Sequence, residues 1–383
     1  MDETRMIRSL LGEAPPSAEV VAEGRRRLSA GGPSRSPART RRRLWGGLTA
    51  LGAAAIALAL VAGLTGGSPR PGTPEPVLPL TARQVLLTAA ERAAAQPVGK
   101  YWHTHVISSE GYHIARGDYM IFGARHEIDQ WRARSDSDAD VFRSRFGAAT
   151  PQTAADHAAW EKAGAPTSWR VLSNGAYIAQ SARSGPWDLR RSSPAEKRKR
   201  KQSAAEQVKR CARIPGGCVP KPLSPEQPES LRRDPHGLKR YLLDAAGPGD
   251  GSNLLSAAAT FLLDPSSPEL RAAVFRVLAD SPGVRDLGTT RDPLGRPAIV
   301  LAERTKSDRN VEDNELLLDP STYTPLGTQV VLVKGNGGKP APLPPGVPRI
   351  PGYGQETKGM KPGAITHSEI YVVMGWTNTA YGG

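Results

Sequence analysis

Cysteine is almost absent from this chain: 383 residues carry two, Cys211 and Cys218. That excludes a fold stapled by several bridges, and a zinc site would need two further ligands and a shorter spacing. Aromatic residues make up only 5% of the chain, whereas glycine and proline supply 40 and 35 residues, so loops should be abundant. Local catalytic signatures are missing as well. There is no nucleophile elbow and no zinc-protease helix, and residues 247–253 lack the Gly-Lys-Ser/Thr ending of a phosphate loop. An enzyme here would need a site assembled from distant residues. Long apolar runs are equally scarce: there is one.

That run, residues 44–64, contains no charge and follows Arg41, Arg42 and Arg43 directly. As a helix it would span roughly 30 Å, the thickness of a hydrocarbon core. A cleaved signal peptide and a buried core helix are the alternatives. Signal h-regions run about 7–15 residues and end at a small-x-small site, and a core helix is not bordered by triple arginine and a Gly/Pro linker. The expectation is a single transmembrane helix. The arm before it holds ten arginines against five acids, and residues 65–80 hold only Arg70 and Glu75. Positive flanks stay inside, so the amino terminus is expected in the cytoplasm and the rest outside, with Arg41, Arg42 and Arg43 near lipid head groups.

The net charge of +14 resembles a nucleic-acid signature until it is located. The arm contributes +5, and residues 183–221 contribute +9 through twelve Lys/Arg against Asp188, Glu196 and Glu206. The remaining ectodomain is close to neutral. Lys197, Arg198, Lys199, Arg200 and Lys201 read as a solvated loop, or as a contact for anionic lipid or wall polymer; a nucleic-acid partner is not expected outside the membrane. Cys211 and Cys218 flank Ala-Arg-Ile-Pro-Gly-Gly, which lets the chain turn back. Outside the cytoplasm such a pair oxidises and would contribute ~2–3 kcal/mol, with free thiols or half a zinc site as the alternatives.

The organisation expected is a basic cytoplasmic arm (1–43), a transmembrane helix (44–64), a Gly/Pro linker (65–80) and an extracytoplasmic α+β domain (81–383). Within that domain, residues 183–228 read as a basic loop insert and 335–363 as a Pro/Gly loop. A helix from Thr81 should bury Val85, Leu86, Ala89, Ala90 and Ala93. Strands are expected over 101–108, 119–122, 124–132, 169–172 and 176–179, and a short helix over 154–163. Helices follow over 237–245, 254–263 and 267–279, the last capped by Ser267 with Leu270, Val274, Val277 and Leu278 on one stripe. Four strands (284–288, 297–304, 314–319, 325–334) precede a final one over 366–376. Short turns make antiparallel neighbours, giving a curved antiparallel sheet with helices on one face.

Candidate chemistry is sparse. His103 and His105, two apart on a strand, would face one side, with His113 and His126 close enough in sequence to complete a metal site. A half-exposed polar strand explains them more simply, so neither metal nor cofactor is expected. Trp102, Trp131 and Trp169 are either core or the lining of an apolar ligand groove.

The segment 281–301, Ser-Pro-Gly-Val-Arg-Asp-Leu-Gly-Thr-Thr-Arg-Asp-Pro-Leu-Gly-Arg-Pro-Ala-Ile-Val-Leu, and the turn Asp319-Pro320-Ser321-Thr322 carry a resemblance, as does the arm through residues 5–11, Pro15-Pro16 and Arg25-Arg26-Arg27-Leu28. The chain resembles an uncharacterised actinobacterial family of single-pass membrane proteins whose genes often lie beside extracytoplasmic-function sigma factors. The resemblance implies an ectodomain distantly like the half-barrel of lipoprotein carriers and sigma-regulatory sensors. It also implies a cytoplasmic regulatory partner such as a sigma factor. The function expected is a non-enzymatic, membrane-anchored extracytoplasmic binding or sensor protein. A lipid or lipoprotein carrier and an envelope hydrolase with a non-local site are the alternatives.

Overall fold

The computed structural model describes residues 81–173, 175–213, 227–246, 253–307, 310–339 and 355–382. The expected arm, transmembrane helix and linker, with Arg41, Arg42 and Arg43, lie outside the described residues, as do Cys218 and residues 340–354 of the Pro/Gly loop. Among the described residues, no helix is long and apolar enough to cross a membrane.

Helix α1 (Ala82–Ala94) begins at Thr81, whose hydroxyl accepts from Gln84 N while the Gln84 side chain accepts from Thr81 N, and it buries the five residues expected from its spacing. Strands β1 (Tyr101–Ile114), β2 (Tyr119–Ala133), β3 (Asp140–Phe146) and β4 (Thr150–Pro151) follow, then helix α2 (Ala154–Lys162), the hairpin β5 (Ser168–Ser173) and β6 (Ala176–Ser181), strand β7 (Asp188–Ser192) and helix α3 (Pro194–Ala212). After α4 (Gln227–Ser230), α5 (Pro235–Ala246), α6 (Leu254–Leu262) and α7 (Pro268–Ala279) come β8 (Val284–Arg291), β9 (Pro297–Lys306), β10 (Asn310–Leu318), β11 (Pro325–Gly335) and β12 (Ile365–Thr377). The class is α+β, with one large antiparallel sheet.

Its strand order is β7-β3-β2-β1-β12-β11-β10-β9-β8, with β4 added beside β2, while β5 and β6 pair separately. The first and last long strands therefore meet in the middle, from Tyr101↔Thr377 to Glu110↔His367. Closing that seam brings backbones unusually close at Gly111, where a Cβ would overlap the Ile365 carbonyl. A bulge interrupts β1–β2 pairing between Ser108 and Glu110, and Ala124 on the bulged strand has a φ of 46°.

Helices α1, α5, α6 and α7 form one apolar layer against Val284, Leu301, Leu316 and Leu318 of the sheet. One polar pin joins that layer to β1. Trp102, fully buried, donates from Nε1 to the Leu263 carbonyl at 2.8 Å, and the Arg271 guanidinium lies 4.4 Å from its ring centre. Arg271 Nη1 donates to the Leu262 carbonyl at 2.7 Å. Among the described residues, no carboxylate faces this cation in an ion pair. What stabilises it is the Leu262 carbonyl at the negative end of α6 and the face of an indole. Burial nevertheless pulls its pKa down to about 10.

Residues 183–228 are the main departure from the sequence reading. Their described part is not a loop: β7 joins the sheet beside β3, and α3 is a helix of 19 residues. Ser193 and Glu196 form a capping box, Pro194 occupies the first turn, and the Lys, Arg, Gln and Ala that follow are good helix formers. Repulsion along the basic run, the reason to expect a loop, is offset by acids from elsewhere. Lys197 is buried, bonding the carbonyls of Ala133, Ser135 and Asp138 and pairing with Asp140 at 3.0 Å. Arg200 also pairs with Asp140, and Lys201 with Asp136.

Candidate functional site

Two polar features interrupt the apolar architecture. The first is a cavity of about 170 Å³ between α6 and the sheet. Its roof is Leu255, Ser256 and Thr260 of α6, and its floor is drawn from β10, β11 and β12, including Asn314, Thr328, His367 and Glu369. The roof is fixed by its own amino terminus. Asn253 caps the helix at Ser256 N, and the Glu303 carboxylate accepts from Leu255 N at 2.9 Å, both favoured at the positive end of a helix. The Ser256 hydroxyl donates to Asn314 Oδ1 at 3.2 Å, and Asn314 Nδ2 donates to the Thr305 hydroxyl at 2.9 Å. Helix and floor are thereby held in register.

Charge at the floor is local and mixed. His367 Nδ1 lies 3.1 Å from Glu110 Oε1, and that hydrogen bond raises the histidine pKa against the opposing effect of burial. Glu315, also part of the floor, accepts from Gln329 Nε2 at 2.7 Å; burial raises its pKa. Hydroxyls, two amides, an imidazole and two carboxylates around a small cavity suit a small polar molecule bearing both donors and acceptors.

The second feature is an ionic ladder across β1, β2 and β3. His103 Nε2 lies 2.8 Å from Asp129 Oδ1, while Arg143 donates from Nε and Nη2 to Asp129 Oδ2 at 2.9 and 2.7 Å. One rung along, Arg145 donates through the same two nitrogens to Glu127 Oε2 at 2.9 and 2.8 Å. His105 Nε2, buried and without a hydrogen bond, is 3.9 Å from that same oxygen. Register explains the grouping: His103↔Trp131, His105↔Asp129 and Asp129↔Arg143 put these side chains on one face. Aromatics cover it, with Trp131 stacked 4.0 Å from His103 and Trp187 4.5 Å from both guanidinium carbons.

These groups hold one another in defined charge states. Burial raises the pKa of Asp129, but His103 and Arg143 outweigh it and leave the carboxyl below its usual range. Burial lowers His105. His113 and His126 do not join: His113 bonds Asp118 at 2.8 Å, and His126 stands against Phe146. Among the described residues, no group of three or more His, Cys, Asp or Glu is arranged to hold a metal ion.

The three tryptophans considered as one groove are not brought together. Trp102 faces α7, Trp131 lies on the opposite face of the sheet among the ladder residues, and Trp169 packs with Tyr119 beneath the β5–β6 hairpin, donating to its hydroxyl at 2.9 Å. Alternation separates the first two, since Trp102 pairs with Arg132 and not with Trp131. Of the five consecutive cations, Lys197, Arg200 and Lys201 serve intramolecular pairs, and Arg198 and Lys199 are exposed. Cys211 is buried at the end of α3; with Cys218 outside the described residues, the bridge between them stays an expectation.

Sequence reasoning missed Glu127, Asp129, Arg143 and Arg145 as a unit. The signal was there: acids at 127 and 129 and arginines at 143 and 145 share the period of two that puts side chains on one face of a strand. Missing from the sequence was the pairing of β2 with β3. The cavity residues had no such signal, because they come from four separated segments.

No family model matches the chain, and neither does any curated protein. Among solved structures, a crystal structure of MucB aligns with 76% of this chain and 59% of that one, at 12% identity and a TM-score of 0.22. The chain thus spans less than two thirds of MucB's length, and a superposition this loose carries no argument.

Proposed function

We propose that this chain is a single-pass, membrane-anchored binding protein whose extracytoplasmic domain holds a small polar ligand in the cavity beneath α6 and reports on it through the cytoplasmic arm. The observation that carries the reading is the cavity, a space of about 170 Å³ into which hydroxyl, amide, imidazole and carboxylate side chains project beneath a largely apolar helical layer. Pinning of α6 by Glu303 and Asn314 supports it, because a preorganised roof lowers the cost of binding. In this reading the antiparallel sheet is half-barrel-like, with the helical layer on its ligand-binding face. Residues 44–64 anchor the chain with its carboxy-terminal domain outside, and residues 1–43 act on a cytoplasmic regulator such as an extracytoplasmic-function sigma factor. The sequence resemblance and the arm's charge support that assignment.

The carrier alternative fits less well. Drug-sized ligands occupy about 300–1,000 Å³, so the cavity suits a small polar group and not an acyl chain. The test is native mass spectrometry of the full chain in mild detergent after incubation with aqueous envelope extract or, separately, total lipid extract. A small polar species retained by the wild type and lost in Thr328→Phe is expected. Retention of lipid alone, unchanged in Thr328→Phe, would favour a carrier. Retention of nothing from either extract would end the binding reading.

A further inference from the structure

Folding divides the cations of α3 into two sets. The inward side carries Lys197, Ala204, Val208 and Cys211, all buried or half-buried, at intervals that place them on one stripe, and Arg200 and Lys201 turn toward Asp140 and Asp136. The outward side carries Arg198, Lys199, Lys209 and Arg210, continued by Arg213 at the C-cap, and all five are exposed. None of the five forms an ion pair with a described residue. Glu206 is the one acid between them, since Glu196 is occupied in capping the helix.

We infer that this outward face of α3 is a docking surface for the head groups of an anionic bilayer. Three properties of the face select that partner. Apart from Glu206 its charge is positive, and none of the five cations forms an ion pair with a described carboxylate, in contrast to Arg143 and Arg145, which are each committed to one. It has no large apolar side chain between Arg198 and Arg210, so it suits a charged plane and neither a hydrophobic groove nor insertion into lipid. Reach also favours a membrane over a diffusing partner. The inference rests here on the anchored reading: residues 65–80 could extend to at most about 58 Å, which holds the domain near the lipid at high effective concentration. Since the contact is electrostatic, it should weaken steeply with salt.

The experiment is amine footprinting by mass spectrometry on the full chain in nanodiscs of pure phosphatidylcholine or of phosphatidylcholine with phosphatidylglycerol. Lys199 and Lys209 report on the outward face, and Lys239 on α5 is the exposed reference. Expected is a fall in labelling of Lys199 and Lys209 of at least about fivefold in the anionic discs, the factor that ~1 kcal/mol from a single cation would give. High salt should reverse it, the variant Arg198→Gln/Arg210→Gln/Arg213→Gln should lose it, and Lys239 should not change. Equal labelling in both discs overturns the proposal, as does protection by soluble polyphosphate without protection by anionic discs. A chain that fails to enter neutral discs would refute the anchor alone, because the anionic discs still report whether the face binds.

Discussion

On one side of β1, Trp102 meets Arg271, a buried guanidinium with no ion pair to a described carboxylate; one residue along and on the other side, His103 meets Asp129, which also holds Arg143. Both are arginines taken from water. The first is held by helix-end carbonyls and a ring, and its pKa falls to about 10. The second donates two N–H groups to one oxygen of a carboxylate, and the effect appears on the acid, whose pKa is depressed. A buried cation can therefore be held by a helix-end carbonyl and a ring face even with its Nε left without a hydrogen bond. A half-buried sheet face, which water can reach, uses full counter-charges instead.

The largest effect should come from the dipole-held pin. Arg271→Ala is expected to cost about 3–5 kcal/mol in chemical denaturation, since it opens a cavity against Trp102 and strands the Leu262 carbonyl; Arg271→Met should recover part of that. If Met and Ala cost the same, packing is irrelevant and the comparison fails. Asp129→Asn should cost about 2–4 kcal/mol, because it leaves Arg143 without a counter-charge, and adding Arg143→Met should restore part of the loss. Equal costs for the single and double variants would mean that the ladder is not a charge network. Lys197→Met is expected to cost about 1–3 kcal/mol through the three carbonyls it leaves unpaired.

Smaller effects follow pH. His367 has a raised folded pKa, so its contribution is complete below its unfolded value of about 6.5 and is lost as pH rises through the folded value. His105 has a lowered one, so its contribution is present above about 6.5 and is lost as pH falls. Urea midpoints between pH 5 and 8 should therefore change in opposite senses in His367→Gln and His105→Gln relative to wild type. Shifts of the same sign would break the contrast between a histidine bonded to an acid and one merely near it. Smallest of all, Lys201→Gln should be indistinguishable from wild type in the same titration, because its pair with Asp136 is exposed.

Elements with local causes were legible in the sequence. The Ser267 cap, the start of α1 near Thr81 and the apolar stripes of α1 and α7 fall where spacing placed them. So does the run of antiparallel strands after α7. Helix α3 was not legible, because its five consecutive cations look unfavourable until Asp136 and Asp140 are brought alongside by the β2–β3 connection. The seam between β1 and β12 joins segments more than 250 residues apart, and no local pattern reveals it. The same limit applied to the candidate site: His103 and His105 were singled out in sequence, but the carboxylates that occupy them became visible only through strand register, and the cavity only through the position of α6.

Whether binding outside is reported inside is tested most directly by a sigma-factor-dependent transcriptional reporter in the native host. Wild type, a chain lacking residues 1–43 and the cavity-blocked Thr328→Phe would be compared at matched membrane abundance. The account predicts that removing the arm changes reporter output by about fivefold or more, and that Thr328→Phe abolishes the response to envelope extract while leaving the protein folded. Unchanged output with the arm deleted, or an intact response in Thr328→Phe, would contradict it.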